Sequence, residues 1–155
     1  MGKESLKVYL GADHAGLELK EKIKGFLKSK KINYEDLGTG SEESVDYPDF
    51  AIKVGERVAK EKGAKGILVC GSGVGMTIAA NKVKGIRAAV VYDENTAKMS
   101  RQHNNANVIC LRGRDFSAAK ALKLLWIWLN EEFSGEERHL RRIRKISEYE
   151  IKKLD

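Results

Sequence analysis

A cysteine followed by a glycine-rich segment is the part of this sequence best suited to chemistry. Cys70 ends an apolar run, and Gly71, Gly73 and Gly75 follow it closely. Glycine lets the backbone approach a ligand and turn its N–H groups inward, and a helix beginning there adds partial positive charge. Such a loop can bind an anion or stabilise an oxyanion, and the setting favours a thiolate, which can accept a proton. The pattern therefore predicts anion binding or proton transfer around Cys70.

Two other interpretations of this loop stay open. It is not a P-loop, because no Gly-Lys-Ser/Thr follows. It comes close to a dinucleotide-binding fingerprint, but that motif requires glycine at the position of Met76, and Asp93 ends the next predicted strand as that motif would require. A nucleotide-binding module is therefore one alternative, and a strand-to-helix turn without a ligand is the other. Cys110 lies inside an apolar run, which is typical of a small buried side chain.

Other groups suited to catalysis stand where predicted elements end. Asp13 and His14 follow the first apolar run, where they could bind hydroxyl groups, and Asp13 could also cap a helix. His103 closes a predicted helix and is the best general acid or base by residue type, because its pKa lies near neutral pH. It could equally be a helix-end histidine that answers the helix dipole. Asn104 and Asn105, next to it, could cap the helix or bind hydroxyl groups.

Arginines supply a candidate phosphate anchor. Arg138 and Arg142 are four residues apart and so share one face of a predicted helix. A guanidinium pair suits a phosphate group, and Arg114, after the fifth strand, could join them. The same region carries most of the net charge of +7, so a solvated helix face or a nucleic-acid surface also fits it.

Five strands alternate with helices along the chain. Apolar runs predict strands at 6–10, 32–37, 66–70, 86–91 and 108–111. Helical spacing predicts helices through 19–27, from Asp49 through Ala59, after the glycine loop through Ala80, over 94–102 and 116–133, and from near Gly135 toward the C-terminus. Strict alternation indicates a parallel sheet covered by helices on both faces. Ligands then bind beyond the carboxyl ends of the strands, which directs attention to 11–16, 38–48, 70–75, 93–95 and 112–115.

Composition narrows the class of protein. The 155 residues, 42% of them hydrophobic, suit one globular domain over 1–155, with 136–155 as a basic C-terminal helix and tail. Two cysteines and three scattered histidines predict neither a disulfide scaffold nor a metal site, and nothing calls for a cofactor. Neither a membrane span nor a signal peptide is expected, so a cytoplasmic location follows by default.

Six short motifs, in order, resemble the ribose-5-phosphate isomerase B family, within a wider group that includes the galactose-6-phosphate isomerase subunits. They are Gly11–Gly16, Asp46–Pro48, Cys70–Gly75, Ala79–Lys82, Ser100–Asn107, and Arg138–His139 with Arg142. The resemblance covers the chain from about Leu6 to Ile146. It implies a Rossmann-like three-layer α/β/α fold with a five-stranded parallel sheet and a C-terminal helix. It also implies a homodimer or dimer of dimers, no metal and no cofactor.

The same resemblance implies a reaction. Ribose 5-phosphate and ribulose 5-phosphate would interconvert through a cis-enediol, as in the non-oxidative pentose phosphate pathway. Cys70 would be the base that moves a proton between C1 and C2, with the Gly71–Gly75 amides stabilising the enediolate. His103 would help to open the furanose ring, assisted by Asp13. The expected substrate-binding residues are Asp13, His14, Tyr47, Gly71, Ser72, Gly73, Val74, Gly75, Asn104, Arg114, Arg138 and Arg142.

Within that set, His14 and the three arginines would hold the phosphate and Asn104 the sugar. The family builds each site from two subunits, so His103, Asn104 and Arg114 are expected to cross the interface. Ser72 stands where the family often has threonine, and the hydroxyl is kept. Some relatives replace the cysteine base by a glutamate at the position of Met76, which here cannot serve. A six-carbon sugar phosphate remains an alternative substrate, and nucleic acid and membrane partners are not expected.

Overall fold

The computed structural model describes residues 5–152 and contains one sheet of five parallel strands. The strands are β1 (Lys7–Ala12), β2 (Asn33–Asp36), β3 (Lys65–Cys70), β4 (Ala88–Val90) and β5 (Val108–Arg112). The helices are α1 (Leu17–Ser29), α2 (Tyr47–Lys60), α3 (Val74–Ala80), α4 (Glu94–Gln102), α5 (Ala118–Asn130) and α6 (Glu137–Lys152). The predicted alternation and the Rossmann-like fold are confirmed.

Strand order β2-β1-β3-β5-β4 places a switch in direction between β1 and β3. From β1 the chain moves outward to β2, and it then returns to the other side of β1 for β3. Ligands of open α/β sheets bind at such a switch, beyond the carboxyl ends of the strands. The loops after β1 and β3 therefore form the expected binding crevice.

Two hydrophobic clusters cover the two faces of the sheet. One packs α1, α4 and α5 against Ile67 and Val69 of β3, and the other packs α2 and α3 against Leu68 and Cys70. Successive side chains of a strand point to opposite faces, so Cys70 points toward the side of α2 and α3. Both faces of β3 are buried, as its apolar composition predicts.

Several element boundaries differ from the sequence predictions for local reasons. Helix α2 begins at Tyr47 rather than Asp49, because Pro48 fits the first turn of a helix, where no N–H partner is needed. Helix α5 begins after Ser117, whose hydroxyl accepts a hydrogen bond from the Lys120 N–H. The segment predicted as a basic C-terminal helix and tail is helical from Glu137 to Lys152. The end of that predicted tail, 153–155, lies outside the described residues.

Candidate active site

A cleft of about 390 Å³ lies beyond the carboxyl ends of β1, β3 and β5. Its lining residues are Asp13, Tyr47, Cys70, Gly71, Ser72, Gly75, Arg112, Arg114 and Asp115. Seven of these nine were predicted as site residues from the sequence. The predicted crevice at the strand switch and the observed cleft therefore coincide.

Cys70 is the last residue of β3 and its side chain is buried. Its Sγ accepts a hydrogen bond of 3.1 Å from the Gly73 N–H. Gly73 has a φ of 81°, a left-handed conformation that turns this N–H back toward the sulfur and that other residues rarely adopt. A backbone donor is bound most strongly by an anionic acceptor, so this geometry suits a thiolate.

The rest of the loop offers unused donors. Within residues 5–152, the backbone N–H groups of Gly71, Ser72 and Gly75 have no acceptor, whereas the Val74 N–H donates to the Ser72 hydroxyl over 3.2 Å. Free amides beside a buried sulfur can stabilise a developing oxyanion. The loop therefore combines a proton acceptor with N–H groups available to a ligand.

Cys110 differs from Cys70 despite their common side-chain chemistry. It is completely buried in β5, and this burial raises the pKa of its thiol to about 12, with the nearby Cys70 adding to the increase. A thiol with that pKa stays protonated at neutral pH and cannot act as a base. The prediction that Cys110 is a buried core residue is confirmed.

Asp13 and His14 are adjacent in sequence but line different crevices. Asp13 is buried at the cleft, and its carboxylate accepts a 3.1 Å hydrogen bond from the Gly16 N–H. Its two predicted positions, as a helix cap and as a residue at the ligand end of the sheet, are thus compatible. His14 instead lines a neighbouring crevice with Glu18 and Glu42, and its Nδ1 accepts a hydrogen bond of 3.2 Å from the Val45 N–H.

Tyr47 reaches the cleft from the start of α2 and packs against Gly75. A Cβ built at Gly75 would lie 2.7 Å from the Tyr47 ring. Since real Cβ atoms do not approach this closely, glycine at position 75 is what allows the tyrosine to stand against the loop. The motif containing Tyr47 and the glycine loop, far apart in sequence, thus form one wall.

Replacing Gly75 by alanine should displace Tyr47 and lower kcat/KM for the reaction in this cleft about tenfold or more. Small misfits in a binding pocket reduce kcat/KM by factors of this size. Gly25→Ala is the matched control. Gly25 lies in α1 with no atom within 4 Å of a built Cβ, so alanine should leave turnover unchanged and stabilise the fold by about 0.5–1 kcal/mol. Steady-state kinetics and thermal unfolding check both, and equal kinetics for the two variants would contradict the assignment of Tyr47.

Arg114 lies beside the glycine loop of its own chain. Its N–H donates to the Gly71 carbonyl over 3.2 Å, and its guanidinium Nη1 lies 3.4 Å from a Cβ built at Gly71. The expectation that Arg114 reaches across a subunit interface is therefore corrected, because Arg114 lines the same cleft as Cys70. The short connection from the neighbouring strand β5 explains this placement.

Arg112 and Asp115 also line the cleft, but sequence reasoning did not assign them to the site. Arg112 is the register partner of Cys70 across the β3–β5 ladder, and its Nε donates to the Arg114 carbonyl over 2.9 Å. Asp115 has a φ of 52°, a strained conformation for a residue other than glycine. The strand-end rule indicates their segment, 112–115, whereas only the fold shows which of its side chains line the cleft.

His103 and Asn104 lie at the opposite end of the sheet. They follow α4, which runs back toward the amino ends of the strands, and the Asn104 carbonyl accepts a hydrogen bond from Arg87, the residue before β4. The intervening strand β3 has six residues, a length of roughly 20 Å. Within one chain, His103 therefore cannot meet the cleft that contains Cys70.

Buried hydrogen bonds hold the segment that carries His103. Arg101, buried against the Trp128 ring, donates to the Ala106 carbonyl over 2.6 Å and to the Asn105 side chain over 3.0 Å. The Arg101 Nε also donates to the Glu131 carbonyl. These bonds attach the turn after α4 to the end of α5. They therefore hold in place the backbone that carries His103.

Arg138 and Arg142 are exposed on α6, and Arg138 pairs with Glu136 at 2.9 Å. They join the group at the amino end of the sheet, because His139, the residue after Arg138, stacks on His103. The predicted site residues thus form two groups. One surrounds Cys70, and the other comprises His103, Asn104, Arg138 and Arg142.

Asp93, the acidic residue on which the dinucleotide alternative depends, has another role. Its carboxylate accepts a 2.7 Å hydrogen bond from the Thr96 N–H, which caps α4 in a capping box and lowers the pKa of Asp93. Within residues 5–152, no group of three or more His, Cys, Asp or Glu side chains is arranged to hold a metal ion. Across the same span, no helix is both long and apolar enough to cross a membrane.

Known proteins are similar to this chain in sequence and in fold. Residues 8–146 match the profile of the Ribose/Galactose Isomerase family. Ribose-5-phosphate isomerase B of Mycobacterium tuberculosis is 41% identical over 148 residues, covering 94% of this chain and 90% of that protein. Among solved structures, Clostridium thermocellum ribose-5-phosphate isomerase B superposes with a TM-score of 0.92 at 47% identity, covering 95% of this chain and 99% of the other.

A second structure, Mycoplasma genitalium ribose-5-phosphate isomerase B with bound ribulose-5-phosphate, superposes with a TM-score of 0.91 at 45% identity. It covers 96% of this chain and 98% of the other. The family match over residues 8–146 spans the glycine loop, α4 and the start of α6, the segments that carry both groups of predicted residues. The chain therefore belongs to the ribose/galactose isomerase family of enzymes.

Proposed function

We propose that this enzyme interconverts D-ribose 5-phosphate and D-ribulose 5-phosphate through a cis-enediol, with Cys70 as the base. The observation that carries the proposal is the pairing of the buried Cys70 sulfur with the Gly73 N–H, next to the free amides of the same loop. Proton transfer at carbon needs a base held close and stabilisation of the enediolate charge. The ribulose-5-phosphate held by the Mycoplasma genitalium relative supports the choice of sugar.

In the proposed reaction, the Cys70 thiolate removes the proton from C2 of the open-chain aldose and returns it to C1, while the hydroxyl proton passes from O2 to O1. The negative charge that develops on the enediolate oxygen is met by the amides of Gly71, Ser72 and Gly75, with the Ser72 hydroxyl beside them. The Gly73 amide is already bonded to the sulfur, so it supports the base rather than the substrate. The glycines thus act as an oxyanion hole rather than as a phosphate cradle.

His103, the residue expected to open the furanose ring, lies at the other end of the sheet from this cleft within its own chain. We therefore propose that a second copy supplies His103 and Asn104, and that the enzyme is a homodimer or a dimer of such dimers. Helix α6 supports this. Among its described residues only His139 is buried, while Ile146 and Ile151 are 58% and 52% exposed. A 16-residue amphipathic helix with so little buried surface is typical of an element that packs on a partner.

In this arrangement the phosphate lies between subunits. Arg114 contributes from the chain that holds Cys70, and Arg138 and Arg142 contribute from the partner with His103. His14, at the neighbouring crevice, is proposed to complete the anchor. Fixing the phosphate far from the reacting carbons orients a small sugar for proton transfer.

Replacing Arg138 or Arg142 by alanine should raise KM about 10- to 100-fold, since each charge-assisted hydrogen bond contributes about 1.5–3 kcal/mol. Arg144→Ala is the matched control, because Arg144 lies roughly 200° around α6 from Arg142. It should leave KM within about twofold of the wild-type value. Initial-rate kinetics on ribose 5-phosphate check this, and an equal effect of all three substitutions would indicate nonspecific charge attraction instead.

The decisive test of the function is turnover of ribose 5-phosphate by the purified protein without added metal. Deuterium incorporation at the transferred position would support the enediol route. Comparing kcat/KM for five-carbon and six-carbon sugar phosphates decides between ribose 5-phosphate and the alternative of allose or galactose 6-phosphate. If the protein turned over none of these sugar phosphates, the proposal would be overturned.

The single domain over 1–155 and the cytoplasmic location are part of the same proposal. So is the expectation that α6 does not bind nucleic acid. Binding of nucleic acid through α6 would show an affinity that falls steeply with salt. Binding of NAD or ATP in calorimetry would instead support the dinucleotide alternative.

A further inference from the structure

His139 lies against His103 in an arrangement that neither residue type nor spacing predicts. The two imidazole rings are stacked, with centroids 4.2 Å apart and planes inclined by 16°. His139 is only 4% exposed, whereas the residues on either side of it, Arg138 and Leu140, are exposed. The contact therefore joins a buried ring on α6 to the histidine that closes α4.

Within residues 5–152, no hydrogen bond fixes the orientation of the His103 ring. Its backbone N–H donates to the Met99 carbonyl over 2.9 Å, but no hydrogen bond holds its ring nitrogens. Rotation of an imidazole about its second side-chain torsion is broad, so an unsupported ring samples many orientations. The stacked His139 ring is the aromatic contact that the structure shows for it.

The environment of His139 is suited to a supporting role. Its Nε2 is buried and has no hydrogen-bond partner within the described chain. Burial lowers the pKa of His139, and the charges of His103, Arg138 and Arg142 lower it further, against the opposing effect of Glu136. Burial and the neighbouring positive charges thus both disfavour a proton on His139, which suits a ring that stacks on another imidazole.

We propose that His139 is a positioning residue that holds the His103 ring in the orientation required for proton transfer during ring opening. The inference rests on the proposed isomerase function. It also gives α6 a second task. Arg138 and Arg142, the proposed phosphate anchor, and His139, which contacts His103, all lie on this helix. The helix therefore sets the distance between the phosphate anchor and the acid-base group.

The test compares His139→Leu with His139→Phe. Leucine removes the flat ring, so kcat should fall about 10- to 100-fold, as small misplacements of a catalytic group do, with KM within about threefold. Phenylalanine keeps the stacking surface and should retain kcat within about threefold of wild type. If His139 served only the overall fold, both substitutions would lower kcat to a similar extent. Equal losses of kcat in the two variants would therefore overturn the inference.

A double-mutant cycle provides the second readout. In a His103→Asn background, His139→Leu should lower kcat no further, because the ring that it positions is gone. An additive loss would overturn the inference. Proton resonances of the His103 ring should shift in His139→Leu and remain near the wild-type position in His139→Phe, which tests the contact without any turnover.

Thermal unfolding of each variant guards against a folding defect. If His139→Leu does not unfold cooperatively, His139→Asn replaces it, with the same expectations. The two proposals fail differently. Absence of turnover by the wild-type enzyme overturns the isomerase function, whereas wild-type turnover matched by His139→Leu overturns only the positioning role.

Discussion

Alanine at Cys70 should reduce kcat for isomerisation by about 10²- to 10⁴-fold, the range that a positioned general base contributes. The sulfur is buried at the end of β3 and bonded to the Gly73 N–H, and alanine puts a methyl group without acid-base chemistry at this position. Substrate should still bind, because alanine at position 70 leaves the proposed phosphate arginines in place. Initial rates and calorimetric titration of the sugar phosphate measure the two effects separately.

Cys110→Ala is the control for this experiment. Cys110 is buried on the same face of the sheet, and its thiol, with a pKa of about 12, is protonated at neutral pH. Its removal should cost about 1 kcal/mol of stability and change kcat less than about twofold. If Cys70→Ala kept full activity, the assignment of the base would be wrong, and so would the proposed mechanism.

Mixing two inactive variants should restore activity if each site is shared between subunits. In a symmetric dimer, a Cys70→Ala chain still supplies His103, and a His103→Asn chain still supplies Cys70. A heterodimer of the two therefore contains one intact site and one doubly damaged site. Random exchange makes about half of the dimers heterodimers, so about a quarter of wild-type activity should return.

This experiment depends on the separation of the two groups of residues along the sheet. Cys70 ends β3, whereas His103 lies beyond the other end of the sheet. The variants are mixed under mild denaturation, refolded together and assayed, with each variant refolded alone as the control. If the mixture has only the sum of the two separate activities, each site is complete within one chain, and the shared-site proposal fails.

Local features of the site could be predicted from the sequence because they depend on neighbouring residues. Apolar runs with turn residues between them predict the five strands, and strict alternation with helices predicts their parallel order. Gly73 predicts a left-handed turn next to Cys70, since few other residues adopt that conformation. The apolar runs also distinguish the two cysteines, because Cys110 lies inside such a run and Cys70 lies at the end of one.

The tertiary structure alone decided which of these residues meet. Arg114 was expected at the partner's side, but the connection from β5 brings it to the Gly71 carbonyl. Arg112 joins the cleft because its strand pairs with β3 in a register that no local pattern specifies. The stack of His139 on His103 depends on how α6 crosses the end of α4.

The physical reason for this division is the range of the interactions involved. Helical periodicity, capping and glycine conformations are properties of a few consecutive residues, so the sequence by itself determined the elements and the chemistry of the Cys70 loop. Strand order, register and helix crossing come from burying apolar surface across the whole chain. Those contacts decided that Cys70 and His103 stand at opposite ends of one sheet, and hence that one chain cannot bring them together.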